Sequence, residues 1–548
     1  MLPRAIAELV MKRIKTRCGG RWNGVAIAVI AMLVGGGVSG PTWAQHDPQR
    51  NATRLIATGD YAAAWKELGK GEPGDPETHF VAMMAELKRG RITQGVERMR
   101  KAVATGIPFA RLIAGPRDVL KPLYATDGFR ELAAKHQPAD LVHGPMMGAV
   151  TDTGASVWLR TATAGSVVIL VRDAASRAIV LEAFGRTLPE TDFTSVVQLK
   201  GLKPANRYQY EVLFDGRKQK ADNTRFQTAA PDGTGGKTRI VFGGGAGYVP
   251  KWERMWDTIR KRKPDALLML GDNVYIDAPR ETLTTRYCYY RRQSRPEWRR
   301  LVAATPVYAI YDDHDFGTND CVPGPEIEKP AWKRRVWNTF RRNWCNPFYG
   351  GGKTQPGCWC DFRIGDLHVI LLDGRYYRSR GDRPSMLGPA QMTWLKRTLK
   401  SSKGTFKIIA SPVPWSPGVK PGSRDTWDGF AAEREQIFGF IESEKINGVI
   451  LVSADRHRTD LRVTRRPNGY DLYELESSKL TNRHTHKVVR TPGLIWGYNK
   501  TCSFAVMEFD TTAADPQVRF EAVTIDGERV HDHVLKLSQL THRPGKGH

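Results

Sequence analysis

The spacing of apolar residues along this chain of 548 residues changes character twice, and each change marks a boundary. From about residue 55 to 134 apolar positions recur every three or four residues, which predicts helices with one buried face. Two segments there start alike: Gly59-Asp60-Tyr61 leads to Ala64 and Leu68, and Gly90-Arg91-Ile92 leads to Gly95 and Met99, an offset of 31 residues. From about 143 to 227 the pattern becomes alternation broken by Gly, Asp and Asn, and strands are predicted at 156–160, 167–171, 196–199 and 208–214. A Gly-rich stretch with Pro231 then reads as a linker over 228–237. Beyond it, five apolar runs of four to six residues, at 266–270, 307–311, 367–372, 406–410 and 449–452, each stop at a polar cluster. Such runs, bounded by turn formers, predict strands buried on both faces, hence an α/β sheet. In that architecture ligands bind beyond the carboxyl ends of the strands.

The clusters at those ends hold residue types suited to metals and phosphate. Gly271-Asp272-Asn273-Val274-Tyr275 offers a carboxylate that can bridge two cations, with Tyr275 three residues on as a phenolate ligand. In Asp312-Asp313-His314-Asp315 three acids around a histidine repel one another unless cations neutralise them. Asp313 is the candidate ligand of a second metal, His314 the group that orients substrate or protonates the leaving oxygen, and Asn319 a further metal candidate on the same rim. Asp455-Arg456-His457 sets two ligand types at i and i+2, on one side of an extended segment. Asp373-Gly374-Arg375-Tyr376-Tyr377-Arg378 supplies guanidinium groups, so Arg375 and Arg378 are candidates for bidentate phosphate recognition, with a structural salt bridge as the competing reading. These clusters are expected along one sheet edge. A first strand at 239–242 runs into five residues, Gly243-Gly244-Gly245-Ala246-Gly247, which lack the Gly-Lys-Ser/Thr ending of a Walker loop.

Residues 1–44 carry six basic residues, an apolar core at 25–34 and Thr42-Trp43-Ala44, the pattern of a secretory leader cleaved before Gln45. The route expected is general secretion to the periplasm or medium, since the leader has neither a twin-Arg pair nor a cysteine at its end. Once Cys18 is removed with it, six of seven cysteines remain, and an even number in an exported protein predicts disulfides. The formal charge of +26 favours polyanions or phosphorylated substrates. Runs of arginine at 286–300, 375–383 and 456–466 are expected to form a positive rim around one cleft. Nucleic acid is the less favoured partner, because base-stacking aromatics are not interleaved with the basic residues.

The helical segment at 50–136 resembles a tetratricopeptide-type hairpin, with a plain helical bundle as the alternative, and offers a surface to a protein partner. The segment 201–210, Gly-Leu-Lys-Pro-Ala-Asn-Arg-Tyr-Gln-Tyr, resembles the tyrosine-bearing turn of a fibronectin type III-like β-sandwich, assigned to 140–228. In the remaining domain, 238–540, the ordered set Gly-Asp-Asn-Val-Tyr, Asp-Asp-His-Asp-Phe-Gly-Thr-Asn-Asp, Leu-Asp-Gly-Arg-Tyr-Tyr-Arg, Leu-Gly-Pro-Ala-Gln-Met-Thr-Trp-Leu, Ala-Ser-Pro-Val-Pro-Trp and Ser-Ala-Asp-Arg-His resembles the alkaline phosphatase D (PhoD-like) family. That resemblance implies a calcineurin-like metallophosphoesterase fold of four α/β/β/α layers and two or more metal ions, such as iron with calcium. It also implies hydrolysis of phosphate mono- or diesters by attack of a metal-bound hydroxide. By the same resemblance Asp272 bridges the metals, Tyr275 and His457 serve the first, Asp313 and Asp455 serve the second, and His314 sits beside the phosphate. One departure stands out: where the family commonly has Ser-Cys after the first strand, with Cys a first-metal ligand, this chain has Gly244-Gly245. The competing expectation is therefore an envelope polyanion-binding protein with a degraded site.

Overall fold

A computed structural model describes residues 47–542 apart from Pro73 and Pro138, so the leader assigned to residues 1–44 lies outside the described residues. The first helices, Pro48–Thr58, Tyr61–Leu68, Pro76–Lys88 and Ile92–Ala104, follow the apolar spacing, and the two segments that start alike each open one of them. Asp47, Asp60 and Asp75 cap three of these helices by accepting from the backbone N–H of Arg50, Ala63 and Glu77. The first helix is fastened to the distant half of the chain: Arg291 donates to Asp47, and Thr53 and Thr284 share a hydroxyl hydrogen bond of 3.1 Å. Among the described residues no helix is long and apolar enough to cross a membrane.

Two antiparallel sheets follow. One contains β1 (Leu141–Gly148), β2 (Gly154–Thr161) and β5 (Thr194–Lys200). The other contains β3 (Gly165–Asp173), β4 (Ile179–Thr187), β6 (Arg207–Phe214), β7 (Arg217–Lys218) and β8 (Arg225–Gln227). Alternate residues of both, Val157, Leu159 and Val197 with Ile169, Val171, Tyr210 and Val212, share one apolar core of their own. Tyr208 Oη closes the turn before β6 by accepting from Lys203 N–H at 2.8 Å.

The remaining chain builds two mixed sheets around a second, larger core. The six-stranded sheet runs in the order β11 (Val307–Ile310), β10 (Ala266–Leu270), β9 (Lys237–Gly243), β19 (Ser503–Asp510), β20 (Gln517–Thr524), β21 (Arg529–Lys536), with β9, β10 and β11 parallel. The seven-stranded sheet runs β12 (Cys360–Ile364), β13 (Leu367–Leu371), β14 (Phe406–Ala410), β15 (Val449–Ser453), β17 (Leu472–Ser477), β16 (Thr459–Thr464), β18 (Leu494–Tyr498). All five predicted apolar runs are strands, and every residue of β10, β11, β13, β14 and β15 is buried. They do not line one sheet edge, however: two belong to the first sheet and three to the second. A bridge between Gly244 and Ser478 joins the end of β9 to the loop after β17, so the carboxyl ends of the two sheets converge.

The expected disulfides do not form: Cys288, Cys321, Cys345, Cys358, Cys360 and Cys502 are all free thiols. Five of them are packed against different partners, Cys288 against the Tyr275 carbonyl, Cys321 against Gly317, Cys345 against Gly148, Cys358 beside Asp373 and Cys502 against the Asn482 carbonyl. Burial pushes the thiols of Cys288, Cys345 and Cys502 up to about 12, which makes them inert apolar packing.

Candidate metal centre

The site begins where β10 meets β11. Gly271 has a φ of +102°, and a Cβ there would lie 2.6 Å from Asp312 Cβ, so only glycine lets the two strand ends approach this closely. The turn after it is held by a carboxylate: Asp315 accepts from Asn273 N–H at 2.8 Å, Val274 N–H at 2.9 Å and the Asn273 amide at 3.0 Å. Asp315 thus organises the loop that presents Asp272 and Tyr275. Five residues here occupy the left-handed region without being glycine: Asp272, Tyr275, Asp277, Asp455 and His457, at φ between +47° and +72°. Each costs of order 1–3 kcal/mol, and the concentration of such strain where the predicted ligands lie argues that the packing serves the site.

Among the described residues three sets of potential ligand atoms each gather within 4.8 Å: Asp272 with Asp313 and His314, Asp313 with Asp320 and Asp425, and His457 with His484 and His486. Tyr275 Oη lies 3.0 Å from His457 Nε2, and the Asn482 amide donates to Tyr275 Oη at 2.6 Å. Asp272 Oδ1, Asp313 Oδ1 and Asp455 Oδ2 are buried and lack hydrogen-bond partners, Asp313 Oδ1 having only Arg375 at ion-pair distance, 3.5 Å, and Asp455 Oδ2 only Arg456, 3.6 Å. Burial, with Asp313, Asp312 and Asp315 nearby, pushes the Asp272 carboxyl well above its usual range. Burial and the Asp272 charge do the same to the Tyr275 phenol, so its ionisation needs a cation. Buried acceptors that lack hydrogen bonds and crowd other carboxylates fit divalent or trivalent metal ions.

His314 is held from behind. Its Nδ1 lies 2.5 Å from Asp277, and Arg50 of the first helix donates to the other Asp277 oxygen at 2.5 Å. Burial opposes protonation of the ring, but Asp277, Asp313 and Asp272 overcome it and hold the His314 pKa well above that of a free histidine. With Nδ1 occupied by Asp277, Nε2 is the atom left for substrate.

Arg375 and Arg378 do not reach into an open cleft. Both are fully buried; Arg375 clamps Asp425 with two bonds of 2.7 and 3.0 Å and donates to Asp312, while Arg378 donates to Asp425 and to the Gly374 carbonyl. Although burial alone would raise it, these guanidiniums and Lys420 hold the Asp425 carboxyl well below the usual range. These groups balance the charge of Asp425, and Lys420 also pairs with Asp320, while Asp313 keeps only its 3.5 Å contact with Arg375. The other arginine runs behave alike: Arg291 pairs with Asp47, Arg292 with Glu253, Arg300 with Asp257, and Arg458 and Arg462 with Asp460. The expected positive rim is therefore spent largely on internal ion pairs. Asn319 is exposed, and its neighbour Asp320 belongs to one of the three sets.

Residues 240–488 match the family model described as PhoD-like phosphatase. The chain carries a PhoD-like phosphatase domain. Residues 138–230 match a second model, a domain of unknown function (DUF7800). Alkaline phosphatase D of Bacillus subtilis (strain 168) is 23% identical over 338 residues, 53% of this chain and 57% of the relative, so the match spans little more than half of that protein. A solved structure of PhoD superposes with a TM-score of 0.60 at 18% identity, over 73% of this chain and 91% of that one. The purple acid phosphatase PPD1 from yellow lupin (Lupinus luteus) seeds superposes with a TM-score of 0.54 at 12% identity, over 72% of this chain and 75% of that one. These likenesses establish the fold.

Within the PhoD-like domain, Gly245 faces the site: its φ is +66°, and a Cβ there would lie 3.2 Å from His457 Cδ2 and 2.9 Å from Lys479 N. A thiolate cannot simply be restored. Gly245→Cys is expected to cost about 1–2 kcal/mol of stability from the left-handed backbone alone, readable as a lowered urea midpoint. Asp277, Asn482, His484 and His486 were not singled out by the sequence. The signal for the last three was the polar stretch 481–486 after β17, but β17 itself, with Glu474 and Glu476, does not read as an apolar run.

Proposed function

We propose that this chain is an exported, metal-dependent phosphoesterase that hydrolyses phosphate mono- or diesters. The observation that carries the reading is the set of buried acceptors without a hydrogen bond, Asp272 Oδ1, Asp313 Oδ1 and Asp455 Oδ2, at strand ends of two converging sheets. Asp272, Tyr275 and His457 would hold one cation and Asp313 and Asp455 another, with Asp272 between them; iron and calcium are the pair the family resemblance favours. A cation pair supplies an activated water at neutral pH and shields the charge of the phosphate. The chain's own residues do the rest. His314, protonated through Asp277, gives a proton from Nε2 to the leaving oxygen, and Asn482 holds the Tyr275 hydroxyl and the His457 ring in register. Arg50 fixes the far side of Asp277, so the helical segment supports the proton donor. The two mixed sheets with one core support the four-layer reading, and the Tyr208 to Lys203 bond supports a fibronectin type III-like sandwich.

Metal determination on purified protein, followed by chromogenic mono- and diesters with and without chelator, tests the proposal. Two cations per chain and chelator-sensitive turnover are expected. Gly245 favours the second reading, a polyanion binder with a relic site; one metal or none, with salt-sensitive polyanion binding, would establish that instead. N-terminal sequencing of protein recovered outside the cytoplasm, beginning at Gln45, tests export. In Asp277→Asn the His314 ring loses its main stabilising charge. Its pKa falls, so the alkaline limb of the rate profile should move to lower pH, and kcat should fall by about 10²-fold.

A further inference from the structure

The third cluster is chemically unlike the other two. His457, His484 and His486 place one ring nitrogen each within 4.8 Å of one another, with no carboxylate among them. The rings of His484 and His486 lie 4.4 Å apart, and each lies within 5.5 Å of the His457 ring. A second observation is independent of this proximity. His457 is 4% exposed; its Nε2 is engaged by Tyr275 and Asn482, while its Nδ1 is buried with no hydrogen-bond partner at all. An unsatisfied buried ring nitrogen is costly, and a cation is the partner that would satisfy it. The segment carrying the other two rings is pinned: Asn482 Oδ1 accepts from His484 N–H at 2.9 Å, Asn499 donates to the His486 carbonyl at 3.0 Å, and Arg458 donates to the Lys487 carbonyl at 3.1 Å.

We propose that His457, His484 and His486 form a three-imidazole site for a borderline first-row divalent cation, zinc being the best fit. Three neutral nitrogen ligands select zinc over calcium or magnesium, which take oxygen donors, and three protein ligands leave the fourth tetrahedral position open. His457 then serves two sides, its Nε2 turned to Tyr275 and Asn482 and its Nδ1 to the histidine pair. Since His484 is exposed and His486 half-buried, a cation can enter from solvent without passing the Asp272 cluster. The site uses none of the carboxylates of the phosphoesterase reading but shares His457 with its first-cation set, so the two cations would compete for that ring.

Metal-stripped full-length protein titrated with Co2+ provides the test, read by visible d–d absorption and by competition with Zn2+. The wild type is expected to bind one Co2+ with a nitrogen-ligand band that Zn2+ abolishes. The double variant His484→Ala/His486→Ala, altered only at solvent-accessible positions, should lose the band and weaken Zn2+ binding by more than the roughly 10–100-fold that an outer ligand partner is worth. Asp272→Asn should keep the band, which separates this site from the carboxylate cluster. Absence of the band in the wild type, or unchanged Zn2+ affinity in the double variant, overturns the proposal.

Discussion

Asp272→Asn is expected to abolish phosphoesterase turnover, by about 10³-fold or more, since loss of one preorganised electrostatic group alone costs roughly 10²–10³-fold. The same change should make the metal-free protein more stable. Asp272 is buried, has an unpartnered oxygen, and stands beside Asp312, Asp313 and Asp315. Its folded pKa lies above its unfolded one, so the stability its protonated form allows is present below the unfolded value and is lost as pH rises through the folded value. At pH 7 to 8 the neutral amide removes that penalty, worth about 1–3 kcal/mol. Paired measurements decide the matter: steady-state kinetics with metal, and denaturant unfolding in chelator. Retained turnover in a clean preparation sinks the mechanism, and a less stable metal-free variant sinks the account of why the cluster needs cations.

Arg375→Met should be the most damaging single change outside the ligands. One fully buried guanidinium serves Asp312, Asp313 and Asp425. Its removal strands several carboxylates in the interior, at a cost of roughly 3–5 kcal/mol. The pH dependence has a definite sign. The Asp425 carboxyl is held well below the usual range, so its contribution to stability is present above the unfolded value and lost as pH falls through the folded value. The loss in Arg375→Met should therefore be largest above about pH 5 and shrink in acid. Adding Asp425→Leu should recover part of the stability, because an apolar replacement of both partners leaves fewer charges stranded. A loss below about 1 kcal/mol at pH 7 would show that the network behaves like an exposed ion pair.

The helix starts at Tyr61 and Ile92 and the strands β10, β11, β13, β14 and β15 were legible because burial leaves a periodic mark. A helix with one dry face repeats every three to four residues, and a parallel strand covered on both sides must be apolar throughout. Asp272, Asp313, Asp455 and His457 were legible for the same reason: they interrupt such runs where the sheet ends. Strands β16 and β17 left no such mark. Asp460 sits between Arg458 and Arg462, and Glu474 accepts from Trp415 N–H at 2.8 Å and Ser416 N–H at 2.7 Å, so their interiors are polar, with Asp460 Oδ1 and both Glu476 carboxylate oxygens lacking hydrogen-bond partners. With β17 unread, the stretch that follows it, holding Asn482, His484 and His486, carried no expectation.

By itself, then, the order of residues determined which segments would be buried and which polar groups would stand at their ends, since both follow from local patterning. Only the tertiary structure decided that those ends come from two sheets, that Arg375 and Arg378 face Asp425, that Arg50 reaches Asp277, and that three histidines meet at His457. A side chain's charge is written in the sequence; whether it is balanced by a protein group or left for a cation depends on neighbours up to hundreds of residues away.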